Sequence, residues 1–487
     1  MKNFEASNSG SMIASPTESC YRVGTLTYTK AGLVTLFAWL LWGDFCFTLM
    51  ETVIPSVLPL KLKALDAPNW LMGLMITTIP SAINFCINPI VSFRSDRYRS
   101  KWGRRIPFLL FATPFLTLFL ILMGFSQEIG EFTHRLISTW ITRFSPTTFV
   151  LIWIGVFMIG FQFFNMFIAS VYYYLFNDVV PHAYLARCMA LFRVVGSAVG
   201  SMYSYFIYQY AGTHMREIFL GAGLLYFITF TLMCLKVKEG QYPPPPPNVG
   251  GKSGIRAAAE TYLRECFFCR FYWYFFLSNA CWGVSWAIGI FNVFLLRDSL
   301  GLNLNQLGKI GGIAGIVSTV LLYPAGILSD RFHPLRVMLV ANILLLLIAP
   351  VGLIYLVHDF RPDQVLLITI VTTCVSIPMS VMYSAAQLPM YMSILPTERY
   401  GQFGSADAMV RSICAIMGGV LAGAYMDCFR WLYDGKVFYY RFIPFWHIFW
   451  QSLALVFLIL LYRQWQRLGG KSGYQPPATG VDQIPGS

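Results

Sequence analysis

Long apolar runs separated by short polar segments recur along the whole chain. Each run is long enough to cross the hydrocarbon core of a bilayer, which takes roughly 20 residues in a helix. The pattern predicts an all-α integral membrane protein with twelve transmembrane helices. The runs span residues 31–60, 70–92, 107–126, 148–176, 185–210, 217–235, 271–296, 310–328, 337–357, 365–392, 404–426 and 443–462.

The composition supports this interpretation. Of the 487 residues, 56% are hydrophobic and only 12% are charged, which is more apolar surface than a soluble protein of this length can bury. The first 30 residues are polar and rich in Ser and Thr. They contain no short apolar segment with a cleavage site, so we expect no signal peptide.

The net charge of +13 could indicate a nucleic-acid partner, but the distribution of the basic residues argues otherwise. If both termini are cytoplasmic, the inside tails and loops carry roughly twice as many Lys and Arg as the outside loops. This positive-inside bias predicts a multi-pass protein of the plasma (inner) membrane with both termini in the cytoplasm. No nucleic-acid partner is needed to explain the charge.

The cysteines and histidines show no metal-binding spacing. The chain has 11 Cys, and the only C-x-x-C, Cys266 to Cys269, has no second pair or His-rich partner. We also find no nucleophile–base pair at useful spacing. We therefore expect no metal, no cofactor and no enzymatic activity.

The composition of the sequence changes between the sixth and seventh runs. Five prolines at 243–247 favour a stiff polyproline II segment. After them, Arg256, Glu260 and Arg264 stand four apart and predict a surface helix. We interpret residues 237–270 as a cytoplasmic linker between six-helix halves at 31–236 and 271–462, with tails at 1–30 and 463–487. A partner-binding proline motif is the alternative to a plain tether.

The two halves repeat short motifs in the same order. Ser-Asp-Arg occurs at 95–97 and 329–331, and Trp-Gly occurs at 42–43 and 282–283. The fifth and eleventh runs each carry one arginine, Arg193 and Arg411, and the offsets are roughly 220 to 240 residues. Parallel six-helix repeats are typical of secondary transporters.

The segment after the second run reads "NPIVSFRSDRYRSKWGRRIPFLL". Its pattern resembles the loop motif of the major facilitator superfamily. The longer form, Asp-Arg-x-Arg-x-x-x-Gly-Arg-Arg-x-Pro, resembles the glycoside–pentoside–hexuronide cation symporters and the related sucrose transporters. The matching positions are Asp96, Arg97, Arg99, Gly103, Arg104, Arg105 and Pro107.

This resemblance implies a gate at the cytoplasmic face. It implies that the Asp96 side chain meets helix N-termini or arginines of the opposing half when the inside is closed. Breaking the gate would shift the balance of inward-facing and outward-facing states. The implied gating residues are Asp96, Arg97, Gly103, Arg104 and Arg105, with Asp330 and Arg331 in a looser copy in the second half.

Two acids lie inside the first apolar run. Asp44 and Glu51 are seven residues apart and so share a helix face, separated by roughly 10 Å. Asp44 is expected near the bilayer centre, where an acidic residue is costly and therefore suggests a functional role. Desolvation disfavours a charged carboxylate, so either residue could exchange a proton. The alternative is structural, with Asp44 paired to a basic residue and Glu51 a satisfied neighbour.

Two arginines are possible partners for these acids. Arg411 has Asp407 one turn earlier, which favours a structural ion pair. Arg193 has no acid at helical spacing, so we expect it to meet Asp44 or the substrate. The resemblance supports this expectation, since related sugar symporters use an arginine on the fifth helix around the sugar.

The second run departs from the resembling family. Melibiose-permease-like members carry two aspartates here that help bind sodium, whereas this chain has Asn84 and Asn88. Because asparagine brings no formal charge, sodium coupling is disfavoured and a proton carried by Asp44 or Glu51 is the better hypothesis. The asparagines could contact substrate or merely bond between helices 2 and 11.

Other polar side chains in the runs complete a set of candidate solute contacts. Planar hydrogen-bonding groups with an aromatic plate suit a sugar, although most aromatic residues of such a chain serve packing or the interfacial belt. The candidates are Gln162 and Asn165 in the fourth run, Asn279 and Trp286 in the seventh, and Gln387 in the tenth.

The sequence thus predicts a secondary transporter that works by alternating access as a functional monomer in the lipid bilayer. The leading hypothesis is proton-coupled symport of a small-molecule solute, a neutral sugar or glycoside, with H⁺ preferred over Na⁺. Asp44 is the first candidate for the proton and Glu51 the second. An exporter or facilitator of another solute is the first alternative. A non-transporting membrane sensor is an alternative of another class.

Overall fold

The structure, a computed structural model, describes residues 21–138, 145–241, 266–396 and 399–477. The proline run and the predicted surface helix of the linker lie outside these residues. Within the helices, the description leaves out the side chains of Pro89, Ser92, Phe93, Asp96, His182, Ala186 and Ser472.

Twelve helices among the described residues are long and apolar enough to cross a membrane. The predicted fold class is therefore confirmed, and several helices run past the apolar runs by a turn or two. They are α1 Lys30–Ala64, α2 Asn69–Asn88, α3 Ile106–Gly124, α4 Pro146–Val179, α5 Ala183–Tyr210, α6 Met215–Lys236, α7 Arg270–Ser299, α8 Leu304–Phe332, α9 Pro334–Val357, α10 Pro362–Ile394, α11 Tyr400–Leu432 and α12 Val437–Arg467.

Smaller elements lie at the ends of these helices. The helix that contains α2 continues to Arg97, and an amphipathic helix, Ser126–Ile137, connects α3 to α4. Before α1, β1 (Tyr21–Val23) and β2 (Leu26–Tyr28) form an antiparallel hairpin. The hairpin contacts the start of the linker, since the backbone N–H of Gln241 donates to Thr25 Oγ1 at 2.8 Å.

The packing of the helices repeats between the halves. In the first half, α1 packs on α5 and α6, α3 packs on α4 and α6, and α2 packs on α4. The same five pairs, each shifted by six helices, occur in the second half: α7 on α11 and α12, α9 on α10 and α12, and α8 on α10. The motif echoes in the sequence therefore correspond to equivalent helices.

Glycines allow the two halves to approach closely. The halves meet where α2 crosses α11 and where α5 crosses α8. A Cβ on Gly73 would lie 1.9 Å from the backbone oxygen of Gly419, and a Cβ on Gly308 would lie 2.3 Å from that of Ser204. Small residues at crossings are how membrane helices bring their backbones into contact.

The hydrogen bonds described between the halves concentrate at one end of the molecule. This end carries the 65–68 and 433–436 connections, opposite to the side where the chain enters α1 and leaves α12. We call these the closed end and the terminal side. Asp427 of α11 accepts from the backbone N–H of Asn69 at 3.0 Å and of Trp70 at 2.8 Å. Closer to the middle, Thr78 donates to the Ile416 carbonyl at 2.7 Å.

Candidate functional site

A polar cavity of ≈ 440 Å³ lies in the first half, between α1, α2 and α4. Its volume falls within the roughly 300–1,000 Å³ range of small-molecule sites. Five of the predicted site residues line it together: Glu51, Asn84, Asn88, Gln162 and Asn165. Sequence reasoning did not identify Ser170, Tyr173 and Tyr174, which also line the cavity.

Hydrogen bonds between helices hold the cavity wall in place. Asn165 Nδ2 donates to Glu51 Oε1 at 3.1 Å, joining α4 to α1. Ser170 Oγ donates to Asn88 Oδ1 at 2.9 Å, joining α4 to α2. Asn165 Oδ1 is left without a hydrogen-bond partner in the described part of the chain. A buried acceptor of this kind is costly unless it is satisfied, and a solute hydroxyl reaching the cavity could satisfy it.

The face of α4 explains why these residues meet. Gln162, Asn165, Ala169 and Tyr173 follow a spacing of three to four residues, which places them on one side of a helix. That side combines amide groups with aromatic rings. The spacing was present in the sequence and could have identified Tyr173 as a lining residue.

Asp44 lies two helical turns before Glu51 on α1 and is buried, with 2% of its surface exposed. Thr48 Oγ1 donates to its Oδ1 at 3.2 Å, while its Oδ2 has no hydrogen-bond partner among the described residues. The neighbouring Gly43 packs against Tyr172 of α4 and Met233 of α6. Asp44 therefore faces into the first half and is not one of the cavity-lining residues.

The expected pairing of Arg193 with Asp44 is wrong for this structure. No ion pair joins these two described residues, and the Arg193 side chain is exposed. The physical reason is the orientation of α5. Ser197, one turn after Arg193, hydrogen-bonds to Thr319 of α8, so this face of α5 points toward the other half.

The predicted ion pair between Asp407 and Arg411 is present in the second half. Arg411 Nε lies 2.7 Å from Asp407 Oδ2. The fully buried carboxylate also accepts from Tyr391 Oη at 2.5 Å and from Asn279 Nδ2 at 3.0 Å. Asn279, expected to contact the solute, is thus 2% exposed and committed to this buried cluster. Sequence reasoning did not identify Tyr391.

The remaining solute candidates lie on α7 and α10. Trp286 is 55% exposed and makes edge contacts with Trp282 and His447. Trp282, rather than Trp286, stacks face to face on Tyr383 of α10, with ring centroids 3.8 Å apart. Gln387 is half-buried one turn after Tyr383. These side chains are not part of the polar cavity of the first half.

Two acids, Asp178 and Glu239, hold the basic loop between α2 and α3 against the first half. Arg104 forms an ion pair with Asp178 at the end of α4, and Arg105 Nε lies 3.1 Å from the same carboxylate. The Glu239 carboxylate accepts from the backbone N–H groups of Arg104, Arg105 and Ile106 at 2.9, 2.8 and 2.6 Å. Glu239 therefore caps the N-terminus of α3, where a negative charge is favourable.

Gly103 is required at its position in this loop. Its φ of +106° is one that side chains rarely adopt, and a Cβ there would lie 2.4 Å from the Glu239 carboxyl carbon. Arg97 is half-buried, and the second-half copies Asp330 and Arg331 are exposed. The Asp96 side chain lies outside the description, so the cross-half contact implied for it stays a prediction.

Comparisons with known proteins agree on the fold. The sequence model described as "Major Facilitator Superfamily" matches residues 40–419. The bacterial homolog of the lysosomal transporter Spinster, in an inward-facing and unoccupied conformation, has a TM-score of 0.64 at 15% identity and covers 93% of this chain and 100% of its own. The D-xylose-proton symporter has a TM-score of 0.58 at 12% identity, with coverages of 88% and 96%.

Two curated relatives are similar over parts of the sequence. The general alpha-glucoside permease of Schizosaccharomyces pombe is 27% identical over 212 residues, which is 39% of this chain and 37% of the permease. The sucrose transport protein SUT1 of Oryza sativa subsp. japonica is 37% identical over 82 residues, 17% of this chain and 14% of its own length. With the family match over most of its length and the repeated six-helix halves, the chain belongs to the major facilitator superfamily.

Proposed function

We propose that the protein is a proton-coupled symporter of a neutral sugar or glycoside. The observation that carries this proposal is the polar cavity, which places Glu51 among the amides of Asn84, Asn88, Gln162 and Asn165. Amide groups offer both donors and acceptors to hydroxyl groups, and a single carboxylate can hold a proton. The partial similarity to the alpha-glucoside permease and the sucrose transport protein supports the same solute class.

We propose that the two acids of α1, Asp44 and Glu51, have different roles in coupling proton and solute transport. Asp44 is almost fully buried with one oxygen unpartnered among the described residues, an environment that a charged carboxylate tolerates poorly. This environment favours Asp44 as the residue that carries the proton. Glu51 bonds to Asn165 in the cavity wall, so a solute that engages Asn165 would also disturb the Glu51 carboxylate.

We propose that access alternates by rocking of the two halves about their glycine crossings. With the termini in the cytoplasm, the closed end faces outward and the cavity is reached from the cytoplasm in this conformation. Arg193 then lies on the face of α5 that meets the other half, where it would contact solute. Arg104 and Arg105, held by Asp178, would form the cytoplasmic gate with Asp96.

Transport into proteoliposomes tests the proposal. Purified protein would be offered labelled sucrose, maltose and an aryl glucoside, with and without an imposed pH gradient and in sodium-free buffer. We expect uptake above equilibrium only with the proton gradient. Absence of uptake or exchange of every sugar would contradict the solute class, and uptake that needs sodium but ignores pH would contradict proton coupling.

An Asp44→Asn variant tests the coupling site. We expect it to lose gradient-driven accumulation while retaining part of the solute exchange, because the cavity itself is unchanged. Asp363→Asn, which removes an exposed carboxylate at the start of α10, is the matched control and should accumulate solute normally. If Asp44→Asn still accumulates solute against its gradient, Asp44 is not the coupling residue.

A further inference from the structure

A second cavity, of ≈ 430 Å³, lies between α8 and α10 and shares no residue with the polar cavity. Its walls are almost entirely apolar and would not suit a sugar. Two polar side chains, Gln306 and Lys309, stand at the end nearest the start of α8. The other lining residues are Ile310, Ile313, Ala314, Val317, Leu366, Ile370, Thr373, Cys374, Ile377 and Pro378.

This groove opens on the outer surface of the bundle. On α8, Gly308 and Gly312 pack against α5, whereas Ile313 and Val317 lie well over 100° around the helix from Gly308, counting about 100° per residue. Ile313 and Val317 are 55% and 40% exposed. Because Ile313 and Val317 stay exposed on the face turned away from α5, no described helix covers them fully, and apolar residues exposed in this way on a membrane-spanning helix face lipid.

The groove-lining face of α10 also points away from the interior of the second half. Tyr383 stacks on Trp282 of α7 and marks the face that points toward the interior of the second half. Ile370, in the groove, is turned roughly 140° away from Tyr383 on the helix, and it is 40% exposed. Both walls of the groove therefore belong to the lipid-facing surface.

Lys309 is unusual on that surface. It lies five residues into α8, about 7 Å along the helix from Leu304, and its side chain is exposed. It forms no ion pair with any described residue. A lysine at this depth is costly unless its ammonium finds an anion or reaches the interface.

We propose that the groove binds a phospholipid of the bilayer. One acyl chain occupies the apolar space between α8 and α10, and the phosphate accepts hydrogen bonds from the Lys309 ammonium and the Gln306 amide. The groove follows α8 from Gln306 to Val317, roughly 16 Å of helix, which gives the chain an extended path. The cation at one end and the apolar walls beyond it match the two parts of such a lipid. The site does not depend on which solute is transported.

Native mass spectrometry of the purified protein tests the site. The protein in detergent would be titrated with dioleoylphosphatidylglycerol, with dioleoylglycerol, which has the same chains without phosphate, and with glycerol phosphate, which has the phosphate without chains. We expect tight binding of the phospholipid alone. Binding of dioleoylglycerol or of glycerol phosphate as tight as that of the phospholipid would overturn the proposal.

Three variants locate the binding. Lys309→Gln should weaken phospholipid binding by about tenfold, because it removes one charge-assisted contact. Ala314→Phe should weaken it by filling the groove while leaving Lys309 intact. Lys436→Gln, which removes an exposed charge from the closed end outside the groove, should leave binding unchanged. An equal loss in Lys309→Gln and Lys436→Gln, or unchanged binding in Ala314→Phe, would overturn the assignment.

Discussion

At the scale of single residues, one ion pair in the second half joins a half-exposed arginine to a fully buried carboxylate. Asp407 is fully buried and receives bonds from Arg411, Tyr391 and Asn279. Removing the arginine leaves the buried carboxylate without its cation. Breaking a pair with both partners buried costs about 3–5 kcal/mol, and because the Arg411 side chain is 43% exposed and screened by solvent, we expect a cost below that range. We therefore expect Arg411→Ala to lower the thermal unfolding midpoint markedly, as measured by tryptophan fluorescence in detergent.

A surface pair provides the control for this prediction. Arg216 and Glu128 also form an ion pair, at 3.1 Å, but their side chains are 52% and 53% exposed. Exposed pairs of this kind contribute about 0–1 kcal/mol, so Arg216→Ala should leave the midpoint nearly unchanged. Equal shifts in the two variants would show that burial of Asp407 does not determine the cost.

Some features of the candidate site could be predicted from single residues in the sequence, and others could not. Glu51, Asn84 and Asn165 were identifiable because a polar residue stands out in an apolar run. The expected pairing of Arg193 with Asp44 is absent, and the sequence could not show this, because helical spacing fixes the faces of one helix but not how two helices are rotated against each other. The spacing did predict the Asp407–Arg411 bond, since both residues lie on α11.

At the scale of elements, the crossing of α5 and α8 depends on glycine. A methyl group at Gly308 would lie 2.3 Å from the Ser204 carbonyl oxygen, whereas Gly326, on the same helix, has nothing within 4 Å of an added Cβ. Alanine is a better helix former than glycine by roughly 0.5–1 kcal/mol. Gly326→Ala should therefore raise the thermal unfolding midpoint slightly, while Gly308→Ala should lower it by pushing α5 from α8.

The opposite signs expected for the two alanine variants make the comparison decisive. A rise in both midpoints would mean that the crossing adjusts without cost and that close approach at Gly308 is not needed. Cysteine cross-linking between α5 and α8 in each variant would report directly on their separation. We expect slower cross-linking only in Gly308→Ala.

The helices were predictable because each apolar run is about long enough to cross the hydrocarbon core of a bilayer, but their ends were not. Capping decides where a helix begins and ends. Thr29, Ser145 and Asn303 cap their helices locally, but other caps come from distant residues. Glu239, which is 133 residues from Ile106 in the sequence, caps α3, and no local sequence pattern indicates this contact. The β1–β2 hairpin was missed for the same reason, since Gln241, which bonds to it, lies 216 residues from Thr25 in the sequence.

At the scale of the whole molecule, the repeat and the loop motif predicted the family, but the sequence could not predict which conformation the halves adopt. Alternating states of such a protein differ by only a few kcal/mol, and Asp427 supplies part of that difference. It accepts from Asn69 Nδ2 at 2.8 Å and from two backbone N–H groups at 3.0 and 2.8 Å. These bonds exist only while α2 and α11 are together at the closed end.

We expect Asp427→Ala to shift the population toward the state that is open at this end. A loss of about 1.4 kcal/mol would change the ratio of states tenfold. Spin labels at positions 64 and 434, with exposed native cysteines replaced, should show a longer distance component, while labels at 98 and 330 on the terminal side should show a shorter one. Asp363→Ala removes an exposed acid near the same end and should leave both distributions unchanged. Lengthening at the closed end without shortening at the terminal side would indicate local fraying rather than rocking of the halves.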